Sequence, residues 1–194
     1  DMLKKELAKY IADNEKDNKI QLFDVDKEYA DKNQLISSDV TVVEKDFNFS
    51  VIERCVKETE DLIRAEDLTF LNTNISYLKK HLNEFVYVES SAFDIIRVDA
   101  VVLEFDEVFE SYTALFGLKV QKKYGDAIKM YLDTHLKGDG AKYSVMFSGE
   151  DGLWDMNFAL DFVKDFSDDL SFVEVYQLMY GFIFKLVEAI EETQ

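Results

Sequence analysis

Apolar positions recur along this chain with two different periods, and each period predicts an element. Leu3, Leu7, Tyr10 and Ile11 share one stripe at helical spacing, which predicts an amphipathic helix over 2–14. Ile52, Cys55, Val56, Leu62 and Ile63 keep a similar spacing behind Ser50-Val-Ile-Glu53. That serine and glutamate fit a reciprocal helix N-cap, so a second helix is expected over 50–64. Ile75, Leu78 and Leu82 predict a helix over 74–84. Phe105, Val108, Phe109, Tyr112, Leu115 and Phe116 predict one over 104–116. Tyr124, Ile128, Tyr131 and Leu132 predict another over 120–137, stopped by Gly138-Asp-Gly140. The last helix starts at Ser171, where Ser171-Phe-Val-Glu174 fits a further capping box. Its apolar side chains from Phe172 to Ile190 cover most of its circumference, as in a helix at the centre of a fold. Gly181 interrupts it at a cost of about 1 kcal/mol relative to Ala. A close approach by a neighbouring element is the expected reason.

The other period is two. Val86 and Val88 flank Tyr87, and Ile96, Val98, Ala100 and Val102 alternate with polar residues. Both runs predict strands, joined over a turn at 90–94. Tyr143, Val145 and Phe147 alternate, as do Trp154, Met156, Phe158 and Leu160. Opposed residues of a hairpin share a face. Pairing Phe147 with Trp154, Val145 with Met156 and Tyr143 with Phe158 gathers one apolar face, with 148–153 as the loop. Ile20–Phe23 and Val40–Val43 fit a short strand or part of a helix equally well. The expected fold is therefore α+β: about six helices packed on a small antiparallel sheet made of two hairpins, with a central C-terminal helix. Proline is absent and no glycine precedes Gly117, so no linker composition divides the chain. Residues 1–194 are read as a single globular domain.

Composition narrows the classes. The chain has 194 residues, 47% of them hydrophobic, which excludes wholesale disorder. Cys55 is the only cysteine, so neither an intrachain disulfide nor a cysteine-rich zinc site can form. No basic and then apolar leader opens the sequence, and a cytoplasmic location is expected. The most apolar stretch, 170–190, contains Glu174, Gln177 and Lys185, so it is not read as a membrane span.

Charge is the strongest bias. There are 40 acidic against 22 basic side chains, a formal net charge of −18. Residues 1–97 carry 21 acids and 14 bases, and residues 98–194 carry 19 and 8. Glu150, Asp151, Asp155, Asp161, Asp165, Asp168 and Asp169 are offset within 150–169 by Lys164 alone. Asp99 to Glu110 adds five acids and no base. Nucleic acid and anionic membranes need clustered Lys and Arg, and the basic clusters here are only pairs. Neither is an expected partner. The acidic residues of 150–169 are the candidate partner-binding face, and a basic protein is the partner they would attract. Solubility is the plainer reading of the same residues.

Candidate chemistry is sparse. No glycine-rich phosphate loop and no nucleophile elbow is present, and no cofactor is expected. His81 and His135 belong to no metal-binding spacing, and no metal site is expected. Asp24-Val-Asp26-Lys-Glu28 has Tyr29 and Leu35 where a calcium loop needs Gly and Glu. No catalytic residue is assigned. The functional expectation is a non-catalytic protein-interaction module, an inhibitor or immunity-type partner of a basic protein. The alternative is a small-ligand-binding protein or enzyme whose pocket is assembled from scattered residues. The two diverge at His81, His135 and Cys55: convergence with a carboxylate in a cleft would favour the alternative. A monomer is expected, with a homodimer through the C-terminal helix as the other arrangement.

Overall fold

The structure, a computed structural model, describes residues 2–140 and 142–193. Helix α1 (Met2–Asn14) leads into β1 (Lys19–Leu22), α2 (Asp24–Lys32) and β2 (Thr41–Glu44). Strands β3 (Val51–Val56) and β4 (Leu62–Ala65) follow, then two single-turn helices, α3 (Leu68–Leu71) and α4 (Tyr77–Lys80). The chain continues through β5 (Glu84–Glu89), β6 (Val101–Asp106), β7 (Ser111–Leu118) and α5 (Gly125–His135). It ends with β8 (Tyr143–Ser148), β9 (Leu153–Ala159) and α6 (Phe172–Glu191).

The α+β class stands, but the sheet is not the small pair of hairpins expected. It has seven antiparallel strands in the order β4-β3-β5-β6-β7-β9-β8, and β1 and β2 form a separate parallel pair. Two segments expected as helices supply the extra strands. Residues 50–64 form the β3–β4 hairpin, turning at the polar run 57–61, where Glu60 has φ 65°. Ile52 and Val88 are opposed on the buried side, whereas Cys55 opposes Phe85 on the other. Arg54 occupies an inward position, and this charge breaks the alternation that would have marked a strand. Residues 104–116 form the β6–β7 hairpin. Val101, Leu103 and Phe105 are buried on one strand, and Tyr112, Ala114, Phe116 and Leu118 on the other. The hairpin's two apolar tip residues, Val108 and Phe109, completed a false helical spacing. The helix expected over 74–84 shrinks to α4, and β5 begins at Glu84. Ile96 and Val98 are buried in the β5–β6 connection, and β6 starts only at Val101.

Elsewhere the pattern and the fold agree. The β8–β9 register pairs Phe147 with Trp154, Val145 with Met156 and Tyr143 with Phe158. Ser171 and Glu174 close the expected capping box, Ser171 Oγ accepting from Glu174 N and Glu174 Oε1 from Ser171 N. Ten residues of α6 are buried, among them Tyr176, Tyr180, Ile183, Phe184 and Val187. The segment least readable in the sequence contributes the short strands β1 and β2 and, between them, α2.

The inner face of the sheet (Val86, Val88, Leu103, Ala114, Met156, Phe158) is sealed within the hydrophobic core together with α1, α5 and α6. Rings from Phe23, Phe47, Phe49, Phe93, Tyr176 and Tyr180 form a continuous cluster at the N-terminal end of α6. Trp154 lies so close to the start of α5 that a Cβ on Gly125 would sit 2.6 Å from its ring. Only glycine fits there.

Candidate interaction site

Strand register decides where the acidic residues meet. Val56 pairs with Glu84, Phe85 with Glu104, Asp106 with Ser111 and Thr113 with Ala159. The turn 57–61, the β6–β7 tip and the segment after β9 therefore leave the sheet at the same end. The β8–β9 tip leaves at the other. At ~3.3 Å per residue, the length of β9 separates the ends by about 23 Å. The candidate acidic face is thus divided. Asp161, Asp165, Asp168 and Asp169 follow β9 at the first end, joined by Glu58, Glu60, Asp61, Asp106, Glu107 and Glu110. Glu150 and Asp151 sit at the opposite tip, where Asp151 exchanges hydrogen bonds with Ser148 at 3.2 and 3.3 Å. Asp155 lies on the outer face of β9, opposite Met146.

Each carboxylate of the first end has its own surroundings. Asp161 Oδ1 accepts from Tyr112 N at 2.8 Å and tethers the post-β9 segment to β7. Burial raises the Asp161 pKa, and nearby Asp168 adds to the rise. The same two carboxylates, after burial, push the Tyr112 hydroxyl up to about 12. Asp165 turns towards α6 and lines a groove there.

The β6–β7 tip carries the feature the sequence pattern concealed. Val108 is 84% and Phe109 63% exposed. Both stand among Asp106, Glu107 and Glu110. Hydrogen bonds brace the turn: Asp106 Oδ1 accepts from Val108 N at 2.8 Å and from Phe109 N at 3.1 Å, and Glu110 adopts φ 50°. Lys57 Nζ donates to Phe105 O at 2.6 Å and ties β3 to the base of the hairpin. The signal available in the sequence was an aspartate two residues before an apolar pair, with acids on both sides.

The outer face of the sheet is uncovered beside this end. Phe85, Val102 and Leu115 floor a cavity of about 540 Å³ rimmed by Glu60, Glu104 and Asp155. Burial raises the Glu104 pKa, partly opposed by Lys57. An apolar centre with a charged rim is the usual anatomy of a protein interface.

The three residues that could have carried catalysis stand on separate elements. Cys55 is buried against Phe85 on β3, and burial pushes its thiol up, assisted by Glu53 and Glu60. Such a thiol is a poor nucleophile. His81 caps α4 and stacks on Tyr77, ring centroids 3.8 Å apart. His135 closes α5 against Tyr131. Nearby, Arg54 is held by Glu66 and Glu84, each at 3.0 Å, and Tyr77 donates to Glu84 at 2.8 Å. Burial alone would lower the Arg54 pKa, but its hydrogen bonds to Glu66 and Glu84 raise it. This is a closed ion network at the sheet margin, its charges satisfied by one another. Among the described residues, no group of three or more His, Cys, Asp or Glu side chains is arranged to hold a metal ion. Among them, no helix is long and apolar enough to cross a membrane. No known protein family, curated protein or solved structure matches the chain.

Proposed function

We propose that this chain is a non-catalytic protein-interaction module, an inhibitor or immunity-type partner of a basic protein, and that it docks through the acidic end of its sheet. The observation that carries the reading is the β6–β7 tip, where an exposed Val-Phe pair, its backbone amides held by Asp106, is flanked by carboxylates. A turn already formed in the free protein lowers the ordering cost of binding, and aromatic anchors account for much of the energy of an interface. The surrounding acids would steer a basic partner and suppress acidic competitors. Cys55 opposes Phe85, His81 stacks on Tyr77 and His135 packs on Tyr131, so each has an aromatic neighbour, which supports the same reading over an assembled catalytic pocket. The buried apolar side of α6 favours a monomer as the binding unit.

The test is affinity capture from native cells followed by mass spectrometry, with the wild-type chain and Phe109→Ala side by side. The reading predicts a basic protein retained by the wild type and lost from the variant. Identical captures from both would overturn it.

A further inference from the structure

Gly181 sits in the middle of α6, a helix of 20 residues. The expected close approach is absent: a Cβ at this position would meet no atom within 4 Å. A glycine inside a helix costs about 1 kcal/mol relative to Ala, and no packing contact offsets it here. What the missing side chain leaves is space. A cavity of about 930 Å³ opens along α6, walled by Tyr131, His135, Leu178, Phe182 and Ala189. A second of about 210 Å³ lies by Phe23, Lys45, Phe47 and Tyr180. Gln177 and Gly181 line both. Gly181 is therefore the saddle between two hollows, and any side chain there would stand in the passage.

We propose that the two hollows form one binding groove for an elongated apolar ligand with a cationic head. The larger hollow alone lies within the ~300–1,000 Å³ of small-molecule sites. It follows α6 from Gln177 to Glu192, about 22 Å at ~1.5 Å per residue, so it suits a long ligand rather than a round one. Tyr131, Val163, Leu178, Phe182 and Ala189 supply its apolar surface, interleaved with charged side chains. The choice of head follows from charge. The rim of the larger hollow carries Glu28, Asp165, Glu188 and Glu192 against Lys164 and Lys185. Lys185 is shared by Glu28 and Glu188, each at 3.4 Å, and Lys32 reaches Glu192 at 4.0 Å, so the acids of this rim still exceed the bases, by one. In the smaller hollow Asp24 and Glu44 outnumber Lys45. A net charge of −18 repels anionic amphiphiles at longer range. Of the groove's acids only Asp165 belongs also to the acidic sheet end.

Nile red, whose fluorescence rises in apolar surroundings, reports occupancy of the groove. Dodecylamine, protonated at neutral pH, and dodecanoate then compete for it with the same tail and opposite heads. The groove predicts Nile red enhancement by the wild type, displacement by dodecylamine, and displacement by dodecanoate weaker by about tenfold or more. Gly181→Leu should lose most of the enhancement yet melt at or above the wild-type temperature, since leucine is a strong helix former. Blocking and misfolding are thereby separated. Gly181→Ala, which adds one methyl group, should also melt higher and retain partial binding. Equal binding by wild type and Gly181→Leu would overturn the site, as would absence of Nile red enhancement in the wild type. Equal competition by dodecanoate would overturn the ligand class. A lower melting temperature for Gly181→Ala would overturn the open saddle itself.

Discussion

Two hairpin tips at opposite ends of one sheet are both acidic, and they differ in the exposed apolar pair that the β6–β7 turn carries. The β8–β9 tip offers Glu150 and Asp151 between Gly149 and Gly152, and a Cβ on either glycine would meet nothing within 4 Å. It is a solvated turn. The β6–β7 tip sets Val108 and Phe109 among its acids and fixes them through Asp106. Carboxylates alone keep a surface wet. Exposed apolar side chains among them give a partner surface to bury. The difference teaches that acid count is a poor guide to a docking surface, and that the exposed apolar residues within it are the informative ones.

The largest expected effect concerns the foundation of the docking end. Arg54→Ala removes the cation that Glu84 and Glu66 share near the sheet margin, leaving Glu66 only the exposed Arg64 at 3.8 Å. The network is partly buried, so the loss falls at the lower end of the roughly 3–5 kcal/mol that breaking a fully buried pair costs. Denaturant unfolding should show that loss. Amide exchange should place the weakening in β3–β5, with β8–β9 the less affected. A uniform loss across the sheet would mean that the two ends are not mechanically distinct.

A second effect separates local burial from the repulsion among the acids. Asp26 is fully buried, accepts from Tyr180 Oη at 2.7 Å and from Phe23 N at 3.3 Å, and is pushed up to about 6 by burial. Tyr10, Lys45 and Tyr180 are the titratable groups that face it. Above pH 6 the folded state bears the cost of a buried charge. As pH falls from 6 towards the ordinary carboxylate value, the folded state takes up the proton first and gains stability. At ~1.4 kcal/mol per pKa unit the gain is about 3 kcal/mol. It is complete below the unfolded pKa and lost again as pH rises through 6. Asp26→Asn should flatten this part of the stability curve and leave any gain that arises from relieved repulsion. A curve unchanged by Asp26→Asn would assign the whole pH dependence to the surface acids.

Phe109→Ala comes next. Truncation of a central aromatic anchor costs about 2 kcal/mol or more of binding, which is a roughly thirtyfold weaker complex. Folding stability should hardly move, because the ring is largely in water. Calorimetric binding to the captured partner, beside a melting curve, checks both halves. A variant that binds normally would return the β6–β7 tip to the same class as the β8–β9 tip.

Legibility followed the same physics. The β8–β9 register could be read because no charge enters its inward positions and two glycines mark the turn. The start of α6 could be read because a capping box is local. The β3–β4 and β6–β7 hairpins could not. Arg54 interrupts one alternation, and its partners Glu66 and Glu84 lie 12 and 30 residues further on. Val108 and Phe109 imitate a helical stripe because exposure, unlike spacing, is set by tertiary structure. The acids of 150–169 were visible as charge, yet strand register alone divides them between two ends. Gly181 was visible as an anomaly. Its meaning depends on what lies above it, which no local pattern contains.

The most direct test of the docking claim compares the two tips through charge alone. Glu107→Gln with Glu110→Gln alters one tip, and Glu150→Gln with Asp151→Asn the other, each removing two charges. Association rates with the captured partner are then measured from low to high salt. Rim charges act chiefly on the association rate, and screening shortens from ~8 Å at 0.15 M to ~3 Å at 1 M. The account predicts that the β6–β7 variant associates several-fold more slowly at low salt, that the gap closes at high salt, and that the β8–β9 variant matches the wild type throughout. Equal slowing by both variants would contradict it, leaving a diffuse field of charge and no docking end.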